Sequence, residues 1–269
     1  MTPQPTRAPG GLAIALCMAA LATAQAPTPP PVDPALPDQL KELKALVSDT
    51  KMANDFQAIG LIQKLTQDVD HRNPKDRDRL AKALGDVFRT GKARPPEKDI
   101  LYRETADALA KFGADGGKEL AKAVEDKRHQ DNLPLLAHLL LALGRTKDEK
   151  QVDLLTDTAV RSPHDELRAA AGEALGNYTE LDLKLRRSTV KTLIREWGAL
   201  HQLATTADPT DPNAPIDMGP QNARRTLRAI EGKWNSTLQK LTGASHSQFT
   251  DWQHWLNKNP NWTPPGDGK

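Results

Sequence analysis

Leucines recur along this chain at a spacing that suits one face of a helix. Residues 167–176 read LRAAAGEALG and residues 101–113 read LYRETADALAKFG, each with a leucine eight residues before the leucine of an Ala-Leu pair and a glycine beyond it. Residues 135–144 (LLAHLLLALG) keep the eight-residue spacing, and 82–85 (KALG) hold a weaker trace of it. Apolar positions so spaced make an amphipathic helix, and the glycine reads as its stop. From Leu109 to Leu143 is 34 residues and from Leu143 to Leu175 is 32, which leaves room for one further helix and two turns per unit. The pattern predicts an all-α fold, a right-handed α-solenoid of antiparallel helix pairs in which each helix buries one apolar stripe against its neighbours.

Helical spacing continues outside these repeats, although the first helices diverge from the repeat pattern, as the terminal units of a solenoid do where one side faces water. Folded structure is expected to start at Asp38, placed after Pro37 as a helix N-cap would be, and a second helix to cover 52–69 with Leu61, Leu65 and Val69 on one face. Further helices are predicted at 76–88, 99–112, 118–124, 133–143, 149–160 and 165–175. Thr146 and Glu149 have the spacing of a capping box, and Asn132 followed by Pro134 reads as an N-cap with proline in the first turn. The 133–143 segment is apolar nearly all round, so it belongs between neighbours in mid-stack. A longer helix over 183–203 has Leu183, Val190, Leu193, Trp197 and Leu200 on its inner side, and ends the solenoid begun at 38.

Residues 204–219 carry prolines and aspartates and almost nothing to bury, so they read as a long polar loop of the kind that is commonly functional. Periodicity resumes over 221–241 through Ala223, Leu227, Ile230, Trp234, Leu238 and Leu241, and Gly243 ends it. A short helix at 247–257 places Phe249, Trp252 and Leu256 on one side. Residues 220–258 thus form a C-terminal helical segment, and 259–269 a disordered tail. Trp234, Trp252, Trp255 and Trp262, four of the five tryptophans, fall in this last part. Their spacing makes a hydrophobic cap for the open end of the stack, with an aromatic cage for a sugar or a cation as the rival reading.

The N-terminus changes the expected compartment. Arg7, the short apolar run 12–22 and the Ala22-Thr23-Ala24 site read as a signal peptide over 1–24, followed by a proline-rich tether over 25–37. Export to the periplasm or the medium is the expectation. The only cysteine, Cys17, lies inside the apolar run behind Leu16 rather than behind the small residue that a lipid-attachment site requires. Once the signal is removed, no thiol is left for disulfides, nucleophilic catalysis or zinc ligation.

Charge and chemistry narrow the function. With 37 basic against 35 acidic residues, a formal net charge of +2 and a mean hydropathy of −0.61, no global field points to nucleic acid or membrane. No phosphate-binding glycine loop, H-E-x-x-H or G-x-S-x-G motif is present. His246 and His254 are the nearest histidine pair and a weak metal candidate, while Asp208, Asp211 and Asp217 lack the register of a calcium loop and read as turn formers. One charge pattern stands out. Lys184, Arg187, Lys191 and Arg195 recur at steps of three, four and four and form a basic stripe along the 183–203 helix, next to the polar loop.

The L-R-x-A-A-x-x-A-L-G helix with its partner resembles HEAT repeats, and its short period is similar to bacterial HEAT-like units also seen in phycobilisome lyases. The resemblance is best over 99–178. Leu241-Thr242-Gly243 followed by Phe249, Trp252 and Trp255 also resembles the ending of exported HEAT-repeat proteins of planctomycete-type bacteria, although Thr250-Asp251 stands where a glycine often follows. The resemblance implies a non-catalytic scaffold for protein–protein interaction, with no cofactor and no metal. The stripe suggests an acidic protein or an envelope polymer as partner. The alternatives are an anion- or nucleic-acid-binding solenoid that uses the stripe, and an accessory of the lyase-like HEAT class.

Overall fold

The computed structural model describes residues 30–206 and 217–264, so the signal-peptide reading, Cys17, Asp208 and Asp211 fall outside the described residues. Among the described residues the chain forms eleven α-helices and no strand: α1 (Leu36–Val47), α2 (Asp55–Leu65), α3 (Pro74–Val87), α4 (Ile100–Leu109), α5 (Ala114–Glu125), α6 (Leu133–Thr146), α7 (Val152–Arg161), α8 (Asp165–Leu175), α9 (Leu183–Ala204), α10 (Gly219–Thr242) and α11 (Phe249–Lys258). No helix among the described residues is long and apolar enough to cross a membrane.

The repeated leucines of α4, α6 and α8 explain how these helices meet. Leu101, Leu109, Leu135, Leu143 and Leu175 are fully buried, and Leu167 nearly so. They lie on α4, α6 and α8, which pack in that order. The order extends at both ends, α2 against α4 and α10 against α8. The intervening helices pack likewise, α1 on α3, α3 on α5, α7 on α9 and α9 on α11, while α5 meets α6, α7 meets α8 and α9 meets α10. Helix α6, apolar on nearly every side, is enclosed by α4, α5 and α8.

The glycines of the repeat do not all serve as helix stops. Gly113 and Gly243 end theirs in left-handed backbone, at φ 57° and 72°. Gly144, however, lies inside α6, where an added Cβ would fall 2.7 Å from the Cβ and the carbonyl oxygen of Ala174 on α8. Gly85 lies inside α3, and a Cβ there would come within 2.9 Å of the Glu119 side chain on α5. Gly176 does follow the last residue of α8 as its C-cap, but in right-handed rather than left-handed backbone, with the Thr237 hydroxyl of α10 2.9 Å from where a Cβ would lie. These positions need the absence of a side chain because a neighbouring helix comes that close.

Several boundaries differ from expectation. Helix α1 begins at Leu36 behind Ala35, and Asp38 sits in its first turn rather than capping it. The second helix is shorter than 52–69, since Met52 takes left-handed backbone and the chain beyond Thr66 tightens into a 3-10 turn, Val69–His71. Asn132 does cap α6, accepting from the Leu135 N–H. The capping box does not form, because α6 continues through Thr146, whose hydroxyl donates to the Leu143 carbonyl, and Asp148 caps the next turn instead. The end of the proposed tether belongs to the fold. Its Asp33 N–H donates to the Asp76 carboxylate at 2.8 Å, its carboxylate pairs with Arg72, and the Pro30 carbonyl accepts from Asn73. In the tail expected to be disordered from 259, Trp262 and Pro264 are buried, while Asn259, Pro260, Asn261 and Thr263 are exposed.

Candidate functional site

Helix α9 supplies most of the candidate site. Asp182 starts it by accepting from the Lys184 and Leu185 N–H groups, and the buried face carries Val190, Leu193, Ile194, Trp197 and Leu200. Gly198 then interrupts an otherwise good helix-forming run. Its reason is Phe249, the first residue of α11, whose ring would stand 2.8 Å from a Cβ at that position. With no side chain in the way, the Phe249 ring enters beside Trp197 at 6.1 Å and stacks on His201 at 5.4 Å. The seated ring fixes the start of α11 against α9.

Between α9 and α11 runs a groove of about 590 Å³. Its apolar lining is Ile194, Ala199, Phe249 and Leu256, Lys191 and Arg195 stand on the α9 side, and no carboxylate lines it. Across Phe249 and His201 lies a second, more polar cavity of about 380 Å³ whose lining includes Glu231, Asn235 and Ser247. Asn235 is already engaged, accepting from Trp252 Nε1 at 2.7 Å. Among the described residues no hydrogen bond joins the Ser247 hydroxyl, His201 and Glu231, so no nucleophile is held against a base there.

The basic stripe separates into parts. Lys184, Lys191 and Arg195 are exposed, and the last two share the groove. Arg187 does not belong to an open stripe. Its Nε donates to the Trp262 carbonyl at 2.7 Å and its Nη2 to the Asn261 carbonyl at 2.6 Å, so the guanidinium holds the C-terminal segment on α9. No signal within α9 distinguishes Arg187 from the other three, because its partners lie 74 and 75 residues away.

The tryptophans pack on one another rather than around an open space. Trp252 meets Trp255 edge-on at 5.7 Å, Trp255 meets Trp262 at 5.7 Å, and the His246 ring abuts Trp252 at 4.8 Å. Trp252 and Trp262 are buried, and Trp234 reaches back to donate to the Arg168 carbonyl on α8. His246 and His254 border one shallow cavity, but among the described residues no group of three His, Cys, Asp or Glu side chains could hold a metal. Asp217 accepts from the Gly219 N–H, as a turn former does.

Compared with known proteins, the chain matches no family model, no curated protein and no solved structure. Any functional reading therefore rests on the residues themselves. The groove was hard to see in the sequence because Phe249 and Leu256 read as core positions. The one local signal was Gly198, a glycine in mid-helix beside a tryptophan.

Proposed function

We propose that this chain is an exported, non-catalytic scaffold of the HEAT-like solenoid type, and that the groove between α9 and α11 receives an acidic amphipathic helix of a protein partner. The solenoid reading is supported by the order of helix contacts, in which each helix of the α2, α4, α6, α8, α10 series packs on the next, and by the leucine repeat at 34 and 32 residues. Export is supported by the N-terminal pattern of basic residue, apolar run and A-x-A site.

The observation that carries the binding reading is an apolar groove whose charged lining is of one sign. Exposed Ala199 and half-buried Leu256, over a floor of buried Ile194 and Phe249, offer a surface for the apolar face of a helix, and Lys191 and Arg195 favour carboxylates along its flank. A nucleic-acid reading of the whole stripe is less favoured, because Arg187 spends its donors on the protein's own carbonyls.

A pair of labelled helical peptides tests this, one with glutamates and one with lysines on the polar face and both with the same apolar face. Wild type should bind the acidic peptide and lose affinity as salt rises, and K191E/R195E should prefer the basic one. Equal binding of both peptides by wild type, or an unchanged preference in the variant, overturns the proposal.

A further inference from the structure

A second concentration of positive charge lies away from α9, at the edge where three helices begin. The segments leading into α2, α4 and α6 together enclose a cavity of about 430 Å³. Lys51 comes from the first segment, Lys92 and Lys98 from the second and Arg128 from the third, against one lining carboxylate, Asp131. None of these four cations has a carboxylate within ion-pair distance among the described residues. Arg128 is held in place by donating to the backbone carbonyls of Arg89 and Gly91.

Beneath them Arg94 also lines the cavity, with its side chain 1% exposed. Its Nε and Nη2 make a bidentate pair with Asp55 at 2.8 and 2.6 Å, so its own charge is balanced. Its Nη1 is buried without a hydrogen bond, and its guanidinium lies over the Tyr102 ring, 5.3 Å from the centroid.

Like charges gathered around one cavity repel, and that repulsion is relieved by an anion that takes several of them at once. We propose that this cavity is a binding site for a polyvalent oxyanion of the phosphate class, with Lys92 and Lys98 contacting its oxygens and Arg128, held by the Arg89 and Gly91 carbonyls, adding its charge. The volume suits a ligand between pyrophosphate and a mononucleotide in size. The site is independent of the α9–α11 groove, which shares none of its residues.

The test is calorimetric titration of the full chain with inorganic pyrophosphate at low ionic strength, alongside malonate as a carboxylate control. A parallel sedimentation arm uses phosphatidylcholine vesicles with and without phosphatidic acid. Both arms are repeated with K92Q/K98Q, exposed substitutions whose folding is checked by circular dichroism. Saturable pyrophosphate binding that weakens about tenfold or more in the variant, as loss of two charge-assisted contacts implies, establishes the site with a soluble ligand. Binding only to phosphatidic acid vesicles, lost in the variant, establishes it with a lipid headgroup as the source. Absence of binding in both arms, equal binding of malonate, or binding that K92Q/K98Q leaves unchanged overturns the proposal.

Discussion

Gly172→Ala is a sensitive probe of how the C-terminal helices join the repeats. Gly172 sits inside α8, and a Cβ there would lie within the van der Waals envelope of Trp234 Nε1 and Cδ1 and 3.0 Å from its Cε2. Trp234 is fully buried on α10, and its Nε1 donates to the Arg168 carbonyl at 3.2 Å, so the indole cannot retreat without losing that bond. Overpacking of a core costs about 1–3 kcal/mol and a buried donor left unpaired about 1–3 kcal/mol. Against this, alanine favours a helix interior over glycine by about 1 kcal/mol. The sum is a destabilisation of about 1–5 kcal/mol. Gly232→Ala on α10 and Gly60→Ala on α2 are the controls, since a Cβ at either meets nothing within 4 Å. Both should gain up to about 1 kcal/mol. Urea unfolding followed by tryptophan fluorescence reads all three as shifts of midpoint. The reasoning is refuted if Gly172→Ala is as stable as wild type, or if Trp234→Leu leaves its cost unchanged in the double mutant.

Three further outcomes follow from single observations. Asp55→Ala should cost about 3–5 kcal/mol by leaving the Arg94 guanidinium buried without its carboxylate, and Asp55→Ala with Arg94→Met should cost less than the two changes summed, measured by denaturant midpoints. Burial between Phe88 and Tyr102 holds the His129 imidazole below its ordinary range of about 6.5. The unfolded chain therefore takes up a proton first as pH falls below that value, and stability should drop on acidification in wild type more than in His129→Phe; equal slopes by thermal melts from pH 7.5 to 5 contradict this. Arg187→Ala should release 259–264 from α9, seen as faster hydrogen exchange there with α9 unchanged, and unaltered exchange would show that Trp262 alone holds the segment.

The elements most legible in the sequence are those fixed by contacts close in the chain. Leu101 with Leu109 and Leu167 with Leu175 mark helical faces whatever they pack on, so α4 and α8 could be read from spacing alone. The glycines misled because two physical demands select the same residue. A left-handed turn needs no Cβ at Gly243, and a close helix approach needs none at Gly144, and the chain looks alike in both places. Charges misled for a related reason. Arg187 has the same helical phase as Lys184, Lys191 and Arg195, and only a partner 74 or 75 residues away separates it from them. Lys51, Lys92, Lys98 and Arg128 are unremarkable in sequence, because three separate loops bring them together.

The central claim is that the α9–α11 groove is where a protein partner docks, and site-specific photocrosslinking tests it most directly. A photoreactive residue replaces Ala199, exposed in the groove, and separately Glu42, exposed on α1, and crosslinked partners from native host extract are identified by mass spectrometry. The partner captured at Ala199 is then titrated against wild type and K191E/R195E. The account predicts a partner captured from 199 but not from 42, engaged through an acidic amphipathic helix, with affinity that falls with salt and at least about tenfold in the variant, or 1.4 kcal/mol. Equal capture at both positions, or affinity untouched by K191E/R195E, would contradict it.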